Sequence, residues 1–202
     1  MDYTTPTRVK LEAQISVSTQ DTLIAALVTA VSRAMDRKAT GATNGAENYF
    51  ELDDVADELL IGRLDNTGNI VCAPRKPQIN SVTSMSYRLR PIDSWIEISS
   101  SAISIDGPFV TGWLELSTPP AKAWVKISYN GGYAAAVADL PADLQEVATA
   151  LVIRYFKEAE AGLNDAMGIA EIGVFIYSKA WPQRVKDMFQ PFIRPVGWNS
   201  LS

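Results

Sequence analysis

A chain of 202 residues is long enough to bury a real core, either as one large domain or as a compact domain carrying an insertion. Hydrophobic residues make up 47% and charged residues 20%, which excludes wholesale disorder, and a net charge of -5 excludes a surface that holds nucleic acid by general electrostatic attraction. Histidine is absent, so the commonest general base and the usual zinc ligand are missing, and most hydrolase schemes fall with them.

The single cysteine, Cys72, cannot form an internal disulfide, and folding in a reducing cytoplasm is the simplest reading. The opening "MDYTTPTRVKLEAQISVSTQ" has no apolar stretch behind a basic end, and no run of about 18 uncharged apolar residues follows anywhere. The expectation is a protein neither exported by a standard signal nor threaded through a membrane.

After a short opening segment containing Pro6, "STQDTLIAALVTAVSRAMDRKATG" predicts a helix. Ser18 and Thr19 are candidate caps, and Asp21 lies where the positive helix end favours an acid. Leu23, Ile24, Leu27, Val28, Val31 and Met35 repeat at helical spacing up to Gly41. From Ala42 to Tyr133 short runs rich in Ile, Val, Trp and Tyr read as strands, punctuated by Gly, Asn, Pro and Ser. "DELLIGRLDNTGNIVCA" predicts a hairpin around Asn66 to Asn69, and "SVTSMSYRL", "SWIEIS", "SAISI", "FVTGWLEL" and "AWVKISY" supply further strands. Asp106-Gly107 and Pro119-Pro120 fit turns or breaks between them.

Asn130-Gly131-Gly132 then releases the last strand, and Pro141 suits a first helical turn, where its missing N–H costs nothing. Leu144, Val147, Ala148, Leu151, Val152, Tyr155 and Phe156 form one apolar stripe, so a helix from Pro141 to about Ala161 is expected to pack on the first. A loop of about fifteen residues follows Gly162. In the closing "WPQRVKDMFQPFIRPVGWNSLS", Pro182 suits a helix start, Val185, Met188 and Phe189 share a face, and Pro191 and Pro195 stop the helix.

The predicted fold class is α+β: an antiparallel bundle of three to four helices with a large β-rich insertion between the first and second long helices. The parts are 1–41 and 134–190 for the helical domain, 42–133 for the insertion, and 191–202 for an extended tail.

No phosphate-cradling Gly-x-x-x-x-Gly-Lys, nucleophile elbow or Cys-x-x-Cys pair is present. "LDNTGN" has a faint look of a calcium loop, yet it lacks the closing Glu, and turn chemistry accounts for it. No cofactor or metal is expected. The acidic stretch Glu47, Glu51, Asp53, Asp54, Asp57 and Glu58 is weighed as a source of paired carboxylates for a hydrolase, against an ordinary solvated surface. Ala150 and Ile153 lie on the long helix away from its stripe and hint at contacts between subunits. Phe189, Phe192, Ile193, Val196 and Trp198 make the carboxyl end unusually apolar. It either docks on the protein's own core or anchors a partner, for which Trp198 and Arg194 are the residue types that dominate binding energies.

The order of these parts resembles the bacteriophage head-to-tail adaptor family, the connector or head-completion proteins of long-tailed phages. The resemblance is carried by "TQDTLIAALVTAVSRAMD", by "WVKISYNGGY" followed by "LPADLQEVATALVIRYFKEAEAG", and by "IGVFIYSKAWPQRVKDMFQPFIRP". It implies a non-enzymatic virion protein at the head-to-tail neck, assembled in the host cytoplasm into a ring, commonly of twelve copies, beneath the portal. The partners implied are the portal, the next neck or tail protein, and DNA that passes through without sequence-specific binding. The segment gripping the portal maps onto Trp181 to Trp198, and acidic Glu47, Glu51, Asp53 and Asp54 would face the channel and let DNA slide. A stopper or tail-completion role is the nearest alternative, and a carboxylate-dependent hydrolase the alternative of another class.

Overall fold

The computed structural model describes residues 1–41, 48–65, 67–114, 122–160 and 181–194. Glu47, the Pro119-Pro120 break, the loop after Gly162, Pro195, Val196 and Trp198 lie outside the described residues. The chain divides into two compact units: Met1–Asn48 with Ala136–Ile193, and Tyr49–Ala135 with Arg194.

Four α-helices are described in the first unit. Helix α1 (Pro6–Ala13) starts at Thr5, whose side chain accepts from the Arg8 backbone N–H at 3.2 Å, with Pro6 opening the first turn. Only Val9 of this helix is buried, so no apolar stripe marks it within the opening segment of the sequence. Helix α2 (Asp21–Thr40) ends at Gly41, which adopts a left-handed φ of 68° and donates to the Arg37 carbonyl at 2.9 Å. The expected cap at Ser18 or Thr19 is corrected: Gln20 precedes the helix and no side chain caps it, while Ser18 instead offers its backbone carbonyl to Asp21 N–H at 3.1 Å.

Helix α3 (Ala142–Glu160) packs on α2, and Leu144, Val147, Ala148, Leu151, Val152 and Phe156 are buried along one face. Helix α4 (Gln183–Phe189) packs on α3 through buried Val185 and Phe189 and runs into a 3-10 turn at Gln190–Phe192, where Pro191 stops it. The buried polar groups here are paired, as burial requires. Tyr3 donates its N–H to Ser32 Oγ at 2.9 Å and its hydroxyl to the Asp36 carboxylate, and the Thr4 and Thr149 hydroxyls meet at 2.7 Å.

The second unit is a seven-stranded antiparallel sheet in the order β4-β3-β7-β1-β2-β6-β5. Its strands are β1 (Asp53–Leu64), β2 (Ile70–Cys72), β3 (Ile79–Arg88), β4 (Ile96–Glu97), β5 (Ile103–Asp106), β6 (Phe109–Gly112) and β7 (Lys122–Gly131). The alternation that predicted strands is clearest in β7, where Ala123, Val125, Ile127 and Tyr129 are buried and the residues between them face the other way. The sheet coils into a half-barrel that brings β3 near β5 and β6, and Leu60, Ile70, Cys72, Met85, Val110, Val125 and Ile127 fill its interior.

The expected helical bundle with a β-rich insertion is therefore corrected. The sheet is a body with its own hydrophobic core, built on strands of 12, 10 and 10 residues, rather than an appendage of a bundle. On the helical side α1 and α4 have 8 and 7 residues, about two turns each, too short to run the length of α2 and α3 as bundle members.

At the Asn-Gly-Gly junction, β7 continues through Gly131, and Gly132 takes a φ of +116°. Its N–H reaches the Gln78 carbonyl at 2.8 Å, and Tyr133 N–H reaches Phe50 O at 2.9 Å. A Cβ on Gly132 would lie 2.2 Å from the Glu51 carbonyl oxygen, so the junction is pressed against the backbone leading into β1.

Candidate functional site

The β1–β2 hairpin is closed by one carboxylate. Asp65 accepts from Thr67 N–H at 2.9 Å, Thr67 hydroxyl at 2.7 Å, Asn69 N–H at 2.9 Å and Asn69 Nδ2 at 3.1 Å. The loop is thus a turn built on an aspartate rather than a cation cradle. The Thr67 hydroxyl and then the Asn69 backbone N–H hold the Asp65 carboxyl down at about 2, against an ordinary 3.8. Because the folded value is depressed, the hairpin's stabilisation is present above pH 3.8 and is lost as pH falls through about 2. An NMR titration of the Asp65 side-chain carbon should therefore show a midpoint near 2; one near 3.8 would contradict the turn geometry.

The acidic stretch is distributed along β1 and the segment before it. Glu51 is half-buried, and its backbone carbonyl accepts from the buried Lys76 Nζ at 2.7 Å. Asp53 and Asp54 are exposed, and Asp54 accepts from Asn130 Nδ2 at 2.8 Å. A bulge between Val55 and Glu58 sets Asp57 at a φ of 51°, 3.8 Å from Lys126 Nζ. Glu58 accepts from the Tyr129 hydroxyl at 2.5 Å and from Arg75 N–H at 3.1 Å. Burial and the neighbouring Glu58 charge push the Tyr129 phenol above its usual range. The carboxylates of Asp54, Asp57 and Glu58 thus hold separate partners, and no group of three metal-ligating side chains occurs among the described residues.

Of the carboxyl-end residues, Phe189 is 1% exposed and stacks edge-on against Trp181 at 5.3 Å, as part of the helical unit's own core. Trp181, Phe192 and Ile193 are half-buried. Arg194, also half-buried, donates from Nη2 to the Ala73 carbonyl at 2.7 Å in the sheet unit. Ala150 and Ile153 are half-buried on α3.

A cluster that the sequence reading did not assemble lies on the outer face of the half-barrel. Register sets Arg88 and Ile61 on either side of Trp124, Ser86 and Leu59 on either side of Lys126, and Arg63 beside Lys122. The Arg88 guanidinium sits 4.4 Å from the Trp95 ring and 5.9 Å from that of Trp124, with Lys126 Nζ 5.5 Å from Trp95. Leu59, beside Lys126 on β1, is 46% exposed. Alternating Lys122, Trp124 and Lys126 was the available signal, but their neighbours on β1 and β3 depend on strand order.

No family model matches the chain and no curated protein matches it in sequence. Solved structures do match in fold. One is a chain from the neck of an empty GTA particle computed with C6 symmetry, with a TM-score of 0.53 and 13% identity over 95% of this chain and 91% of that one. Another, from the virion of a native gene transfer agent (GTA) particle, gives a TM-score of 0.51 and 14% identity over 95% and 91%. At these identities the likeness is one of fold, and at 95% coverage it takes in both units.

Proposed function

We propose that this chain is a structural protein of the neck of a phage-like virion: an adaptor that forms a ring beneath the portal, joins head to tail and leaves a path for DNA. The observation that carries the reading is the fold likeness to a chain of a particle neck across 95% of the sequence. The adaptor-like order of the helical segments supports the same role from an independent direction. The work is assembly rather than turnover. It proceeds by docking of preformed surfaces, with aromatic and Arg side chains supplying most of the binding energy.

In this reading Trp181, Phe192 and Ile193 of the helical unit, together with Arg194 and Trp198, meet the portal. Phe189 supports that segment from within. Ala150 and Ile153 on α3 contribute to contacts between subunits. Closure of a ring requires heterologous contacts, one face of a subunit on a different face of the next.

The test is where the protein sits. Particles purified from the producing strain should contain it at the head-to-tail junction in a ring, and deletion of its gene should leave DNA-filled heads without tails. Its absence from purified particles, or tailed particles without it, would refute the role. Copy number and order of contacts in the same particles separate an adaptor from a stopper.

A further inference from the structure

Arg194 is fixed to the sheet unit, where its Nη2 donates to the Ala73 carbonyl at 2.7 Å. Two contacts locate Ala73. Arg63 pairs with Val71, and Glu58 accepts from Arg75 N–H at 3.1 Å, so the chain between them runs beside β1 from Ile61 toward Glu58. Inside the half-barrel at this level Leu60, Ile70, Cys72 and Val110 are at most 2% exposed, and the packed interior offers no seat for a further segment. The outward side is different. Strand parity puts Leu59 and Ile61 of β1 and Val71 of β2 there, with Phe109 of β6 at the border. Leu59 is exposed and Ile61 and Val71 are half-buried, so an apolar strip lies next to the point where Arg194 is held.

From this geometry we infer that in the free subunit residues 195–202 strap onto the outer face of the half-barrel over Leu59, Ile61 and Val71, with Arg194 as the fixed end and Trp198 as the main apolar contact. Tether, size and chemistry select this occupant. The segment carries no charge and brings Val196, Trp198 and Leu201. Four residues separate Arg194 from Trp198 and span about 13 Å when extended, enough to cross from β2 to β1, about 5 Å away. A few side chains fall well short of the roughly 800 Å² per partner that a separate protein needs. A tethered segment instead meets the strip at an effective concentration on the order of millimolar, so a small contact holds it. Arg194 Nε is also buried with no acceptor among the described residues, and the residues that follow it bring backbone carbonyls.

The strap deepens the portal reading and rests on it for its purpose. Trp181, Phe192 and Ile193 stay in place, and Arg194 and Trp198 join them only when the portal offers a better seat than the strip, which restrains premature docking. The strap itself is tested on the isolated chain. A photoreactive benzophenone amino acid replaces Trp198 in the full-length protein, which is irradiated at a concentration where it is monomeric. Adducts within the monomer, mapped by mass spectrometry, should fall on Leu59, Ile61, Val71 and Phe109. Arg194→Gln should lower their yield about threefold or more, since the charge-assisted bond to Ala73 is lost.

A second measurement needs no crosslinker. Val196→Ser with Trp198→Ser should leave the circular dichroism unchanged and raise binding of an apolar fluorescent dye about twofold or more, and adding Leu59→Thr should remove the increase. Adducts found mainly on the helical unit or on Ile92, which is 90% exposed in the β3–β4 turn, would overturn the strap. So would a lack of adducts within the monomer, or dye binding that does not change. A chain found at the neck whose adducts lie elsewhere loses the strap and keeps the neck role. A chain absent from particles whose adducts map to the strip does the reverse.

Discussion

Gly132→Ala should destabilise the sheet unit by about 3 kcal/mol or more, read as a lowered urea midpoint with an unchanged slope. Two terms add. At a φ of +116° an L-residue is strained whatever the space around it, at about 1–3 kcal/mol. The new Cβ would also lie 2.2 Å from Glu51 O, 2.5 Å from Glu51 C and 2.7 Å from Leu52 Cα, all backbone atoms that have no rotamer to change. Gly107→Ala is the control. Its φ is +58° in the β5–β6 turn and a Cβ there meets nothing within 4 Å, so only the conformational part, about 1 kcal/mol, should appear. Equal midpoints for the two variants would mean that the junction is not pressed against the entry to β1.

Phe189→Ala should cost the helical unit about 3–5 kcal/mol, since a fully buried ring is lost along with its contact to Trp181. Loss of the helical circular dichroism at lower urea measures it. Phe192→Ala, at a half-buried position in the 3-10 turn, should cost about 1 kcal/mol or less. The pair divides the carboxyl end by role. A folded Phe192→Ala variant that fails to attach tails would assign that residue to docking. A Phe189→Ala variant as stable as the wild type would show that its ring is not a core element.

Much of the local structure was legible in the sequence. The β7 run "KAWVKISYNG" alternates so regularly that its buried set, Ala123, Val125, Ile127 and Tyr129, follows from parity alone. The long helices were equally plain, since Ile24, Val28, Val31 and Met35 recur at helical spacing. What could not be read was the pairing of distant segments. Nothing local states that Leu60 lies opposite Val125, or Tyr87 opposite Val125 on the other side, and without those registers the sheet could not be recognised as a body with a core of its own.

The same gap hid the outer face. Arg88, Trp95, Trp124 and Lys126 come from three parts of the chain and meet only through strand order. The acidic stretch stood out in the composition, but the individual partners of Asp54, Asp57 and Glu58 depend on the bulge in β1 and on β7 beside it. Phe189 and Phe192 look alike in sequence, and only the packing of α4 separates a ring inside from a ring at the edge.

The place of β7 between β3 and β1 sets a timetable for biosynthesis. Among the described strands it is the last to leave the ribosome and the only one that hydrogen-bonds to both of the other long strands. At about 5–20 residues per second, β1 and β3 wait on the order of seconds with their inner edges open before Lys122–Gly131 arrives to zip them together. A product released before Lys122 would carry those edges permanently bare, the kind of template that recruits other strands into aggregates.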